Sequence, residues 1–145
     1  MKMYFVLLFC LFMSTPGWLT DFDAARDTAS QQHKFIVLNF SGSDWCAPCI
    51  KLEQEVFESD EFRSVAEKQL VLVRADFPRL KKNQLSKEQT KHNETLAEKY
   101  NPAGKFPLTL LLNANGKIIK EWDSYPFRSH ARFMSELNQT LAAQP

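Results

Sequence analysis

Two rhythms of apolar residues alternate along this chain. Residues 34–40 (KFIVLNF) are apolar at nearly every position and predict a strand covered on both faces, 69–75 (QLVLVRA) predict another buried strand, and 108–112 (LTLLL) a third strand. Between them apolar residues return every three or four positions, the helical period. Phe22, Ala25 and Ala29 mark a first helix, capped through Thr20 and Asp23 and ending near Gln32. Cys49, Leu52, Val56 and Phe57 mark a second, and Ser59 caps a further piece with Phe62, Val65 and Ala66 on one side. Ser86 and Gln89 form a capping box for a helix to Tyr100 with Leu96, Ala97 and Tyr100 inward. Asn-Gly turn chemistry at 113–116 joins the strand 108–112 to a hairpin partner at 118–122, and Phe133, Met134, Leu137 and Leu141 define a last helix. The order α-β-α-β-α-β-β-α predicts an α/β fold, a mixed sheet sandwiched between helices.

The first seventeen residues follow neither rhythm. Lys2 precedes an unbroken apolar run at 4–13, and the small residues Ser14, Thr15 and Gly17 follow it. This is the pattern of an export signal, with cleavage expected after Gly17. Ten helical residues rise only about 15 Å, half the hydrocarbon thickness of a bilayer, so the run is too short for a stable span. The expected division is therefore 1–17 as a removed signal and 18–145 as one domain. Cys10, inside the apolar run and preceded by Phe9, lacks the setting of a lipid-modified cysteine and leaves with the signal.

Charge then becomes informative. The whole chain carries 18 basic and 17 acidic side chains; without Lys2 the count is 17 against 17. A neutral domain lacks the cationic excess of a general nucleic-acid or membrane-surface binder. The basic stretch between Phe77 and Gln89 (Arg79, Lys81, Lys82, Lys87) and the following Lys91 have no interleaved aromatic residues after Phe77, which disfavours nucleic acid again. This insertion reads either as a solvated surface excursion or as a docking element for a partner.

Of three cysteines, the mature chain keeps two, Cys46 and Cys49, in the segment Ser43-Asp44-Trp45-Cys46-Ala47-Pro48-Cys49. The segment leaves a buried strand and opens a helix. A thiolate there faces free N–H groups and the positive end of the helix dipole, which lower its pKa. Cys46 is thus the expected nucleophile, and Cys49, one turn in and less exposed, the resolving thiol. Pro48 needs no N–H in the first turn and stiffens the loop. A zinc site would require two more ligands, and His33, His92 and His130 are scattered without ligand spacing, so no metal is expected. A purely structural bridge across so short a loop would stabilise little.

The stretch NFSGSDWCAPCIKLEQEVF, with Phe106-Pro107 just before a later strand, resembles the thioredoxin superfamily. It is most similar to exported bacterial thioredoxin-like proteins and to the C-terminal domain of the membrane disulfide-interchange reductase. The resemblance implies a thioredoxin-like three-layer fold and a cis proline at Pro107 beside the active-site pair. It also implies a thiol–disulfide oxidoreductase of the reducing type that needs no metal or organic cofactor. Substrates would be protein or peptide disulfides, held at Trp45, Ala47, Pro48, Phe106 and Pro107. An upstream membrane or soluble thiol donor would recharge a monomeric, periplasmic protein. A dedicated reductant in cytochrome c maturation, or a non-enzymatic binding or chaperone module, would carry the same motif.

Proton handling departs from the family pattern. Thioredoxins usually place a buried Asp in the strand before the motif; here that position holds Asn39, which cannot accept a proton. Glu53, four residues after Cys49 and flanked by Leu52 and Val56, is the expected general base, with apolar surroundings raising its pKa. The membrane reductase's soluble domain has a Glu at the matching place. Asp44 reads as a tuning charge or a solvated loop residue, and Phe106 as a bulky aromatic at the substrate rim.

Overall fold

The computed structural model describes residues 17–125 and 129–145. The export-signal reading of 1–17 lies almost wholly outside the described residues. In chain order the elements are β1 (Trp18–Leu19), α1 (Phe22–Gln32), β2 (Phe35–Ser41), α2 (Ala47–Leu52), a π-helical turn (Glu53–Phe57) and α3 (Asp60–Gln69). They continue through β3 (Leu70–Asp76), a 3-10 turn (Lys81–Asn83), α4 (Lys87–Tyr100), β4 (Leu108–Leu112), β5 (Ile118–Asp123) and α5 (Ser129–Ala142).

The five strands lie in the order β1-β3-β2-β4-β5. β1 and β2 run parallel to β3, while β4 is antiparallel to both β2 and β5, so the sheet is mixed as expected. The runs at 34–40 and 69–75 became β2 and β3, paired from Phe35–Leu70 to Ser41–Asp76, and with β4 from 108–112 they are the three inner strands. Alternate residues serve opposite layers. Ile36, Leu38 and Phe40 pack with Phe22, Ala25, Ala29, Leu96 and Tyr100 of α1 and α4. Val37, Leu72 and Leu111 pack on the other face with Leu52, Val56, Phe62, Phe133 and Leu137. The result is a three-layer sandwich with cores on both sides of one sheet.

Three details differ from the expectation. β1 was not foreseen, because two residues give no periodicity to read. The α1 cap is Asp21, whose carboxylate accepts the N–H of Ala24 at 3.0 Å, rather than the Thr20/Asp23 pair. The second helix is not regular throughout. After Leu52 it widens, and Glu58 N–H reaches back to the Glu53 carbonyl at 2.9 Å, five residues away. Within this wider turn Val56 and Phe57 are both buried, while Glu53 itself keeps right-handed helical backbone with its N–H bonded to the Cys49 carbonyl.

The Asn-Gly turn formed as read. The Asn113 side chain accepts the N–H groups of Asn115 and Lys117, both at 3.0 Å. Gly116 has φ +83°, and a Cβ there would lie 2.7 Å from the Tyr100 hydroxyl, which donates to its carbonyl. Only glycine meets both conditions.

Tyr125, just after β5, donates its hydroxyl to Glu55 in the π-helical turn and so ties that turn to the far edge of the sheet. Burial, then the Glu55 carboxylate, push the Tyr125 hydroxyl up to about 12 from 10.0. The folded state therefore holds this proton more tightly than the unfolded state. Its contribution to stability is intact below pH 10 and falls as pH rises from 10 to about 12. Tyr125→Phe is expected to cost about 1 kcal/mol at neutral pH and to reduce the loss of stability in that alkaline window. Urea unfolding of both proteins across the pH range checks this; parallel curves at all pH values would contradict it.

Candidate active site

The site begins where β2 ends. Ser41 pairs with Asp76 at the end of β3, and the chain then turns at Gly42, whose carbonyl accepts the N–H of Trp45 at 3.3 Å and of Cys46 at 2.9 Å. A Cβ on Gly42 would meet the Trp45 indole at 2.3 Å, so glycine is what lets the ring fold back over the turn. Ser43 fixes the turn from the other side, its N–H and hydroxyl both donating to the Asp76 carboxylate, at 2.9 and 2.5 Å.

This turn delivers Cys46 to the N-cap of α2. Its backbone is extended (φ −97°, ψ 95°), and its Sγ accepts the N–H of Cys49 at 3.3 Å. Pro48 falls within the first turn, as its missing donor requires. Cys46 and Cys49 are joined by a disulfide. The expected difference in exposure is not present in this oxidised form, since both residues are 4% exposed. In a closed bridge each sulfur covers the other, so the helix position, not exposure, distinguishes them. Ala47 and Pro48 are exposed beside the pair.

Phe106 and Pro107 arrive from the turn before β4, with a cis peptide bond between them. The Asn101 side chain staples that turn, accepting the Lys105 N–H at 2.9 Å and donating to the Lys105 carbonyl at 2.8 Å. Gly104 takes the left-handed conformation within it, φ +64°. Phe106 meets Trp45 edge to face, with centroids 5.4 Å apart, and meets Phe77 in the same way at 5.4 Å. Trp45 donates its indole N–H to the Phe77 carbonyl at 2.7 Å. Trp45, Phe106 and Phe77 thus form one half-buried aromatic platform next to the disulfide.

Behind the pair the expectation for Glu53 needs correction. Its surroundings are not apolar, because Arg74 Nη2 donates to Glu53 Oε2 in an ion pair. The end of α2 and strand β3 bring the two together across 21 residues. The Arg74 guanidinium also lies over the Trp18 ring, 4.1 Å from its centroid. Cys49, Glu53, Arg74 and Ser41 line one cavity of about 160 Å³. Asn39, 2% exposed, donates to the Thr109 hydroxyl at 3.1 Å and so serves strand packing. Arg74 escaped the sequence reading, although a cation inside an otherwise apolar strand was a signal that a buried partner existed.

Asp44 lies partly in solvent as a loop charge can, but it is not free. Its carboxylate accepts the N–H groups of Arg79 and Leu80, each at 2.9 Å, and the Asn83 amide at 3.0 Å. The Arg79 N–H leads the bonds that hold its pKa below the ordinary carboxylate value. Arg79 in turn lays its guanidinium over Trp45, 3.7 Å from the ring centroid. The insertion is therefore fastened to the active-site loop.

Comparison with known proteins agrees with this geometry. Residues 17–114 match the thioredoxin-like family. The disulfide bond reductase DsbH of Chlamydia pneumoniae is 40% identical over 117 residues, covering 81% of this chain and 68% of that protein. A solved structure of a DsbH oxidoreductase superposes with a TM-score of 0.78 at 30% identity, covering 90% of this chain and 88% of the other. The oxidised C-terminal domain of DsbD from Neisseria meningitidis shares the fold, with a TM-score of 0.58, 20% identity and coverage of 86% and 99%. The chain belongs to the thioredoxin-like family, and its Cys46–Cys49 pair makes it a thiol–disulfide oxidoreductase.

Asp44→Ala is expected to release the insertion while leaving the sheet intact. Amide exchange at Arg79 and Leu80 should accelerate roughly tenfold, as charge-assisted bonds are lost locally. Hydrogen-exchange mass spectrometry of both proteins checks this, and unchanged protection of that segment would contradict the anchoring role.

Proposed function

We propose that the protein is an exported disulfide reductase in which Cys46 is the nucleophile and Cys49 the resolving thiol. The observation that carries the assignment is the Cys46 sulfur at the N-cap of α2, accepting a backbone N–H. In the reduced protein the same donor and helix end favour a thiolate on Cys46. That thiolate attacks one sulfur of a substrate disulfide, forming a Cys46–substrate bond and expelling the other sulfur as a thiolate. Cys49 then loses its proton and attacks Cys46 Sγ. The second substrate sulfur leaves, and the Cys46–Cys49 bond re-forms. Two electrons pass to the substrate, whose thiolates take up two protons, and an upstream thiol donor restores the pair.

Trp45, Phe106 and Pro107, with the exposed Ala47 and Pro48, form the surface that receives a protein or peptide segment. Glu53 is the acceptor for the Cys49 proton, supported by the cavity the two share; Arg74 is the positioning residue that fixes its carboxylate. Export rests on Lys2 and the apolar run after it. No helix among the described residues is long and apolar enough to cross a membrane. The relative that is 40% identical is named a disulfide bond reductase, which favours the reducing direction over a non-enzymatic module.

Cys49→Ser is expected to trap a mixed disulfide on Cys46, whereas Cys46→Ser traps none and reduces no insulin. With the wild-type pair, Glu53→Gln should slow resolution roughly tenfold or more and alter its pH profile. Quenched-flow separation of the mixed disulfide measures both. A resolution rate and pH profile identical to wild type would remove Glu53 from the mechanism.

A further inference from the structure

The insertion between β3 and α4 is held against the active-site loop, and its charges remain unmatched. Arg79, Lys81 and Lys82 are exposed, and among the described residues none of them pairs with a carboxylate. Two carboxylates where the insertion meets the loop, Asp44 and Asp76, are already engaged. Both oxygens of Asp44 accept donors from the insertion itself, and both oxygens of Asp76 are taken by Ser43. Across the platform, Lys105 is paired with Glu121 and Asp123. The cationic side of the rim is therefore the insertion alone, and Arg79 stands closest to the disulfide loop because it lies on Trp45, the residue preceding Cys46.

We propose that the insertion is a specificity element that selects substrate disulfides flanked by acidic residues, with Arg79 as the selecting cation and Asp44 as the residue that positions it. The proposal rests on the reductase reading above and names its substrate class. A polypeptide whose cysteine reaches Cys46 must cross the Trp45–Phe106 platform, and its neighbouring side chains then lie beside Arg79. A guanidinium spread over an indole keeps its N–H edge available to a carboxylate while its face is occupied. An acidic neighbour completes an ion pair there, and a basic one is repelled. The carboxylate of Asp44 holds the backbone of Arg79 and Leu80, so the cation is presented from a fixed segment and less ordering is required on binding.

The test uses two synthetic peptides, each closed by a single disulfide and identical except that the residues flanking cysteine are Glu in one and Lys in the other. Second-order rate constants for their reduction by the reduced protein are measured by stopped flow. The wild type is expected to favour the Glu peptide about three- to fivefold at low salt, the size of an exposed ion pair. The preference should shrink toward unity at 1 M salt, where screening acts within about 3 Å. Arg79→Glu should reverse the preference, and Asp44→Ala should diminish it without reversing it. Lys68→Glu, which changes net charge equally but lies on α3 near its C-terminus, should preserve it. Equal wild-type rates, a preference unmoved by Arg79→Glu, or a reversal by Lys68→Glu would overturn the proposal while leaving the reductase intact. Reduction of neither peptide would overturn the reductase reading itself and this one with it.

Discussion

The site depends on how the chain leaves a fully buried strand and becomes a helix within five residues. Ile36, Val37, Leu38 and Phe40 of β2 are wholly buried between two helical layers, so the strand's end has no freedom to move. Gly42 then supplies both the room for the Trp45 ring and a carbonyl that receives two N–H groups. Cys46 is left as the N-cap of α2, where a sulfur takes the part that a serine or aspartate oxygen usually plays. Chemistry at Cys46 is thus a consequence of strand burial, one bare glycine and a helix end.

Two carboxylates stabilise that arrangement by accepting backbone N–H groups. Asp76 binds the turn before the motif, and Asp44 binds the insertion that follows β3. Asn93 of α4 adds a bond from its amide to the Asp76 carbonyl at 2.9 Å. The insertion, the aromatic platform and the disulfide loop consequently share one scaffold. Loops that carry function work best when rigid elements position them, and here that rigidity comes from side chains far apart in sequence.

That separation explains what the sequence made legible and what it did not. Long apolar runs and 3.6-residue periods are local, so the inner strands, the core faces of α1, α4 and α5, and the redox motif could be read directly. The partners of Glu53 and Asp44 lie 21 and 35 or more residues away. They meet only because β3 pairs with β2 in a particular register. Glu53 looked apolar in its surroundings because Leu52 and Val56 flank it; across the gap the cation came from β3. The two-residue β1 had too little pattern to be seen. Cys46 and Cys49 are joined as their close spacing allows, but their equal burial follows from the closed bridge.

The central claim is that helix position, not exposure, makes Cys46 the reactive thiol. The most direct measurement is the pH dependence of alkylation of each cysteine in the reduced protein, resolved by peptide mapping. Cys46 is expected to react first, with a midpoint below the value of about 8.5 for a free cysteine, while Cys49 remains protected at neutral pH. Faster labelling of Cys49, or equal labelling of both with midpoints at or above that value, would contradict the account.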